Sequence, residues 1–126
     1  KQIKLFPSPS AIMNGDLSFL RTTRRRKRTL VDFARAIASG TLSLLPTQEV
    51  RSFIREVQKI SGIGPWTAHY MALRALRDTD AFPETDLVLA RALDRHPREA
   101  LENMRPWRGY AAALYWREYG VREKNL

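Results

Sequence analysis

The chain has 126 residues, 44% of them apolar, which suits one domain with a real core. It holds no run of about 18 apolar residues for a membrane span, and its opening "KQIKLFPSPS" lacks the apolar stretch of a secretion signal. The absence of cysteine excludes disulfides, thiolate zinc sites and cysteine nucleophiles. Net charge is +9 and unevenly held: residues 1–63 carry twelve Lys/Arg against four Asp/Glu, residues 64–126 ten against nine. A polyanion such as nucleic acid is the natural partner for such a balance, because each phosphate contact releases counterions.

The apolar spacing is helical almost throughout, and neither an alternating strand nor an internal repeat is found. Ser8 and Pro9 mark a first helix, with proline at its first position. Asp16 is placed to cap a short second one. Thr23 is placed to cap a third, running to Ser39 and stopped by Gly40, with Leu30, Phe33, Ala34 and Ile37 as its core-facing stripe. Its opening, "RTTRRRKR" (residues 21–28), reads first as a solvated helix start, yet cations in a first turn oppose the helix dipole, which gives a phosphate role some weight. Thr47 is placed to cap a fourth helix ending near Lys59, with Val50, Phe53, Ile54 and Val57 facing inward. A fifth runs from about Pro65 to Arg77. The loop "DTDAFPET" leads to a sixth starting near Asp86, and Pro97 and Pro106 start a seventh and an eighth. The expected fold is all-α: one compact domain, residues 1–126, of about eight short helices, with a helix-hairpin-helix motif at 50–77.

Between the fourth and fifth helices stands "ISGIGPWTA" (residues 60–68). Gly62 and Gly64 let the chain reverse in few residues and let the backbone approach a ligand closely. Free amides at the start of the next helix suit an anion such as a DNA phosphate. A Gly turn is also an ordinary way to join two helices, and Asp86 is equally an ordinary helix cap. Trp66 and Tyr70, spaced i and i+4, share one helix face, where aromatic residues are most often core. Two histidines without acidic or cysteine spacing make no metal site, and His69 reads as structural.

Taken together, "SGIGPWTAHYMALRAL", "DAFPETDLVLARAL" and "RPWRGYAAALYW" resemble the helix-hairpin-helix DNA glycosylase superfamily, and within it the bacterial alkylated-base branch. The resemblance runs from "LFPSPSAI" to Tyr119. It implies a base-excision repair enzyme acting on double-stranded DNA that contains a damaged base, in a bacterial cytoplasm and at the nucleoid, with no membrane partner. It implies that Gly62, Ile63, Gly64, Trp66 and Thr67 hold a phosphate beside the lesion. It implies a possible structural Na+ or K+ on the main-chain carbonyls of Gln58, Ile60 and Ile63, no cofactor being required. Ser61 stands where the family usually has proline, which loosens the turn slightly.

Position 66 carries a lysine in family members that also cut the strand. Trp66 has no nucleophilic nitrogen, so the resemblance is to monofunctional glycosylases without lyase activity. Asp86, twenty positions on, matches the family's catalytic aspartate. The chemistry asks for such a group, because breaking an N-glycosidic bond develops oxocarbenium charge on the sugar. Departure of a cationic alkylpurine such as 3-methyladenine as a neutral base needs little acid catalysis. Trp66, Tyr70 and Trp116 are the implied base pocket, and Arg91 has a supporting place. The helices that usually precede "LFPSP", and the loop that fills the gap left by a flipped base, are not found; the chain is expected to be a C-terminal part of a longer protein, binding weakly and turning over poorly by itself. A non-catalytic DNA-binding module, and a glycosylase of the same fold for oxidised or mismatched bases, are the alternatives.

Overall fold

The sequence punctuation becomes seven helices among the residues that the computed structural model describes, 5–94 and 98–122. Helix α1 (Pro9–Asn14) starts with Ser8, whose hydroxyl accepts from the Ala11 amide. Helix α2 (Arg24–Ala38) is capped by Thr23, whose hydroxyl accepts from the Arg26 amide; it ends at Ser39, and Gly40 turns out of it at φ 75°. Helix α3 (Val50–Val57) and helix α4 (Pro65–Arg74) form the hairpin's two arms. Helix α5 (Leu87–Leu93) follows the 78–86 loop, then α6 (Arg98–Asn103) and α7 (Arg108–Arg122).

Four boundaries differ from the sequence reading, the first being the end of α4, which is expected near Arg77 but comes at Arg74, with Arg77 itself at φ 57°. Asp16 starts no helix: its carboxylate accepts from both the amide and the hydroxyl of Ser18, a local turn that competes with helix nucleation. The helix expected there is therefore missing, and eight becomes seven. Thr47 lies in a turn, and Glu49 caps α3 by accepting from the amides of Arg51 and Ser52, because its longer side chain reaches both. Helix α7 begins at Arg108, two residues beyond Pro106. Pro97 falls outside the described residues, and α6 is described from Arg98.

The core has two lobes. Leu42, Phe53, Val57, Ile63, Ala68 and Leu76 pack under the hairpin, with Phe33 and Ile37 of α2 against them. Phe53 is fully buried, and a phenylalanine so placed contributes about 1.5–3 kcal/mol over an exposed one. Phe82, Leu89, Leu101 and Ala112 form the second lobe under α5 and α7. The two meet through α4 and the 78–86 loop, which is anchored by charge. Arg108, itself buried, makes a two-pronged contact with Asp80, Nε to Oδ1 at 2.8 Å and Nη2 to Oδ2 at 2.7 Å, and Arg105 bridges Asp80 and Glu102. Gly109 lets α7 start hard against this loop: its amide donates to the Thr79 carbonyl at 2.7 Å, and a Cβ there would stand 2.7 Å from the same oxygen.

No helix among the described residues is long and apolar enough to cross a membrane.

Candidate active site and nucleic-acid interface

The hairpin turn is held from both sides. Gly62 adopts φ 96°, a region that disfavours side chains, and a Cβ on it would lie 2.3 Å from Thr29 Oγ1. That hydroxyl donates to the Ser61 carbonyl at 2.7 Å, so α2 is fastened to the hairpin at the tightest point of the turn. Gly64 is different. Its φ of −94° is open to any residue, and nothing stands within 4 Å of where a Cβ would go. What its lack of a side chain provides is an unobstructed approach to the start of α4.

Gly64 is also the N-cap of α4, and no side chain caps that end. The amides of Gly62, Gly64, Trp66 and Thr67 have no hydrogen-bond partner among the described residues, and Pro65 has no amide to satisfy. Ile63 departs from the expectation. Its amide donates to the Ile60 carbonyl at 3.0 Å and its side chain is buried, so it is a core residue of the turn and offers no donor outward. Of the carbonyls expected to meet a monovalent cation, that of Ile60 accepts this amide and keeps a lone pair. Those of Gln58 and Ile63 accept no hydrogen bond from the described residues. Carbonyl oxygens are hard donors of the kind such an ion takes.

Asp86 sits beside this turn, at the start of α5. It is a cap, accepting through Oδ1 from the amides of Val88 and Leu89 at 3.0 and 3.1 Å. It is also bound by two indoles that sequence reading treats only as rings. Trp116 Nε1 donates to Oδ1 at 3.0 Å, and Trp66 Nε1 donates to Oδ2 at 2.8 Å. Partial burial pushes the carboxyl up, but the bonds from Trp116, Trp66, Leu89 and Val88 outweigh it and hold its pKa below the ordinary value. The group is thus an ionised carboxylate at neutral pH. Among the described residues Oδ1 accepts three donors and Oδ2 only one, so Oδ2 is the oxygen with capacity to spare.

The aromatic trio is contiguous. Trp66 and Tyr70 stack with ring centroids 5.2 Å apart and planes 11° from parallel, and Trp116 meets Tyr70 edge-on at 5.8 Å. Trp66 remains 40% exposed and Tyr70 36%, while Trp116 is half-buried against the second lobe. The 66 and 70 rings leave no gap between them for a third. Trp107, just before α7, and Tyr110 on it pair with each other, and both are exposed. His69 is half-buried, its Nδ1 is buried without a hydrogen-bond partner among the described residues, and burial, chiefly, lowers its pKa. The ion-pair anchor of the 78–86 loop, Asp80 with Arg105 and Arg108, had no counterpart in the sequence reading; its only sequence signal is the i, i+3 spacing of Glu102 and Arg105.

The chain is similar to DNA-3-methyladenine glycosylase 2 of Escherichia coli, 33% identical over 118 residues, which is 88% of this chain and 42% of that protein. It is 36% identical over 115 residues to a DNA-3-methyladenine glycosylase of Bacillus subtilis, covering 81% of this chain and 38% of the relative. Among solved structures, a 3-methyladenine DNA glycosylase of Schizosaccharomyces pombe in complex with abasic DNA superposes with a TM-score of 0.74 at 28% identity, over 88% of this chain and 62% of that one. No protein-family model matches the chain. The chain therefore spans about two fifths of the length of the curated relatives it matches.

Proposed function

We propose that this chain, which resembles the helix-hairpin-helix 3-methyladenine DNA glycosylases in sequence and fold, carries the hairpin and the reacting carboxylate of a monofunctional glycosylase for alkylated purines. The observation that carries the reading is the Asp86 carboxylate, kept ionised by two indole N–H groups and two helix amides, next to the uncapped start of α4. A phosphate gripped by the amides of Gly62, Gly64, Trp66 and Thr67 would bring the neighbouring sugar to Asp86. There the negative charge offsets the positive charge that grows on the sugar as the base departs. Oδ2, with its spare lone pair, faces that sugar or orients the attacking water.

The target base must leave the duplex to be reached, and a damaged base leaves at lower cost. Because the Trp66 and Tyr70 rings are already stacked on each other, the base lies on an outer face of the pair rather than between them. A cationic base gains by cation–π attraction, about 0.5–2 kcal/mol when desolvated, and the carboxylate bonded to the Trp66 N–H makes that ring more electron-rich. A monovalent cation on the carbonyls of Gln58, Ile60 and Ile63 would brace the turn and add positive charge near the phosphate. Position 66 carries no amine to form a Schiff base, so strand cleavage is left out of the proposed reaction. The nucleoid of a bacterial cytoplasm is the setting that fits this substrate.

The test is release of methylated purines from alkylated duplex DNA by this chain. Base release lost on Asp86→Asn supports the reading. Salt-dependent DNA binding without any base release would leave a non-catalytic binding module in its place. A preference for oxidised or mismatched bases in competition assays would move the substrate class.

A further inference from the structure

We propose that the arginine-rich opening of α2 is a second phosphate-binding surface, continuous with the hairpin, that extends the protein's grip along the DNA backbone; this rests on the DNA-binding reading above. Arg24, Arg25, Arg26 and Arg28 are exposed on the first turns of α2. Their neighbours do not neutralise them. Asp32 pairs with Arg28 at 3.3 Å and with Arg35 at 2.6 Å, so one carboxylate answers two guanidinium groups. Lys27 spends its ammonium on the Ser18 carbonyl. Arg24, Arg25 and Arg26 have no carboxylate partner among the described residues. Three uncompensated cations in the first turn oppose the positive end of the helix dipole, so fold stability does not account for them.

Position gives the cluster its direction. Arg25 and Arg26 line one hollow of about 300 Å³ together with Thr23, Thr29 and Gly62, the hairpin glycine itself. Arg25 also lines a second, of about 600 Å³, with Arg24, Lys27, Arg28 and Arg35. Thr29, one turn beyond Arg25, is the residue that bonds the hairpin at Ser61, so the register of the arginines relative to the hairpin amides is set by a direct hydrogen bond. A duplex seated on the hairpin would have its backbone continue toward an array of guanidinium groups, and these match phosphate oxygens in two-pronged fashion. Such pairings carry affinity and position, without sequence preference.

The experiment compares three forms of this chain on a methylated duplex, measuring affinity between 50 and 200 mM salt: the parent, Arg24→Gln/Arg25→Gln/Arg26→Gln, and Arg51→Gln/Arg55→Gln/Arg117→Gln as a variant of equal net charge altered elsewhere. Each phosphate that is no longer neutralised by a side-chain cation makes the slope of log K against log salt shallower by about 0.9. The α2 triple variant is expected to lower the slope by about 2 to 3 and the control by less than about 1. Equal slopes for both triple variants, or an unchanged slope for the α2 variant while Gly62→Ala weakens binding, would overturn the α2 surface and leave the hairpin reading standing. A parent chain that shows no salt-dependent DNA binding would overturn both. Loss of binding to anionic phosphatidylglycerol vesicles, with DNA affinity unchanged, would reassign the patch to membranes.

Discussion

Asp86→Asn separates the two things this residue does. Asparagine is as good a helix cap as aspartate, and its carbonyl oxygen can keep the bonds that Oδ1 accepts from Val88, Leu89 and Trp116. What is lost is the negative charge, and the bond at Oδ2, where an NH2 group would face the Trp66 N–H donor. A lost bond to a charged group costs about 1.5–3 kcal/mol. Trp66 is partly open to water that can take up its N–H, so the lower end applies, and the melting temperature should fall by only a few degrees. The rate should respond far more. A unit charge about 4 Å from a developing cation, at an effective dielectric constant near 20, is worth about 4 kcal/mol, which is about a thousandfold in rate. The assay is single-turnover release of methylated purine with enzyme in excess, alongside thermal unfolding of the same preparation. A folded Asp86→Asn protein that keeps more than about a tenth of the parent rate would refute the charge argument and leave Asp86 a cap alone. Asp86→Ala, which also removes the cap, should add about 0.5–2 kcal/mol of destabilisation.

Gly109→Ala forces a methyl against the Thr79 carbonyl and the Leu73 side chain, and should destabilise the chain by about 1–3 kcal/mol in chemical denaturation. Arg108→Lys keeps the charge but not the fork, so one of the two bonds to Asp80 is lost and stability should drop by about 1.5–3 kcal/mol; an unchanged denaturation midpoint would mean the pair does not anchor the loop. The pKa of Asp86 is lowered in the folded chain, so its charge contributes stability above the ordinary value of 3.8 that is lost as pH falls through the lower folded value. Base release should accordingly hold its full rate from about pH 8 down to about pH 5, and an acidic limb near neutrality in a pH–rate profile would show that another group controls the reaction.

Much of this was legible in sequence because it depends on near neighbours. The stripes at Phe33/Ile37 and Phe53/Val57 face the first core lobe as their spacing requires, and the caps at Ser8, Thr23 and Asp86 act within three residues of themselves. Asp16 and Thr47 show the limit of the same signal. Each is a good capping residue, but Asp16 closed a turn on Ser18 and Glu49 reached the α3 amides instead of Thr47. The choice among several competent acceptors is made by the path of the chain, which a residue type does not encode. The longer-range bonds were illegible for a different reason. Trp66 and Trp116 reach Asp86 from 20 and 30 residues away, and Arg108 reaches Asp80 from 28, separations that no helical period marks. Sequence could nominate the tryptophans as aromatic surface. Only the packing of α4 against the start of α5, and of α5 against α7, turns their N–H groups onto one carboxylate.

That double use of the tryptophans has a consequence that distinguishes them. Trp66→Phe and Trp116→Phe each preserve a ring and delete one donor to Asp86. Were the rings only a platform for the base, both variants would weaken binding of damaged DNA and leave the acid limb of base release where it is. If the indoles hold the carboxylate, both variants raise its pKa and move that limb toward neutrality. The two should not be equal. Trp116 is one of three donors on Oδ1, and the Val88 and Leu89 amides remain when it goes. Trp66 is the only donor on Oδ2 among the described residues, and Oδ2 is the oxygen assigned to the sugar or the water, so without Trp66 its direction is no longer fixed. Trp66→Phe should therefore reduce the single-turnover rate more than Trp116→Phe at pH 7, where both carboxylates are still ionised. Equal losses, or the reverse order, measured at saturating enzyme so that DNA binding drops out, would place the reacting lone pair on Oδ1 and undo the assignment.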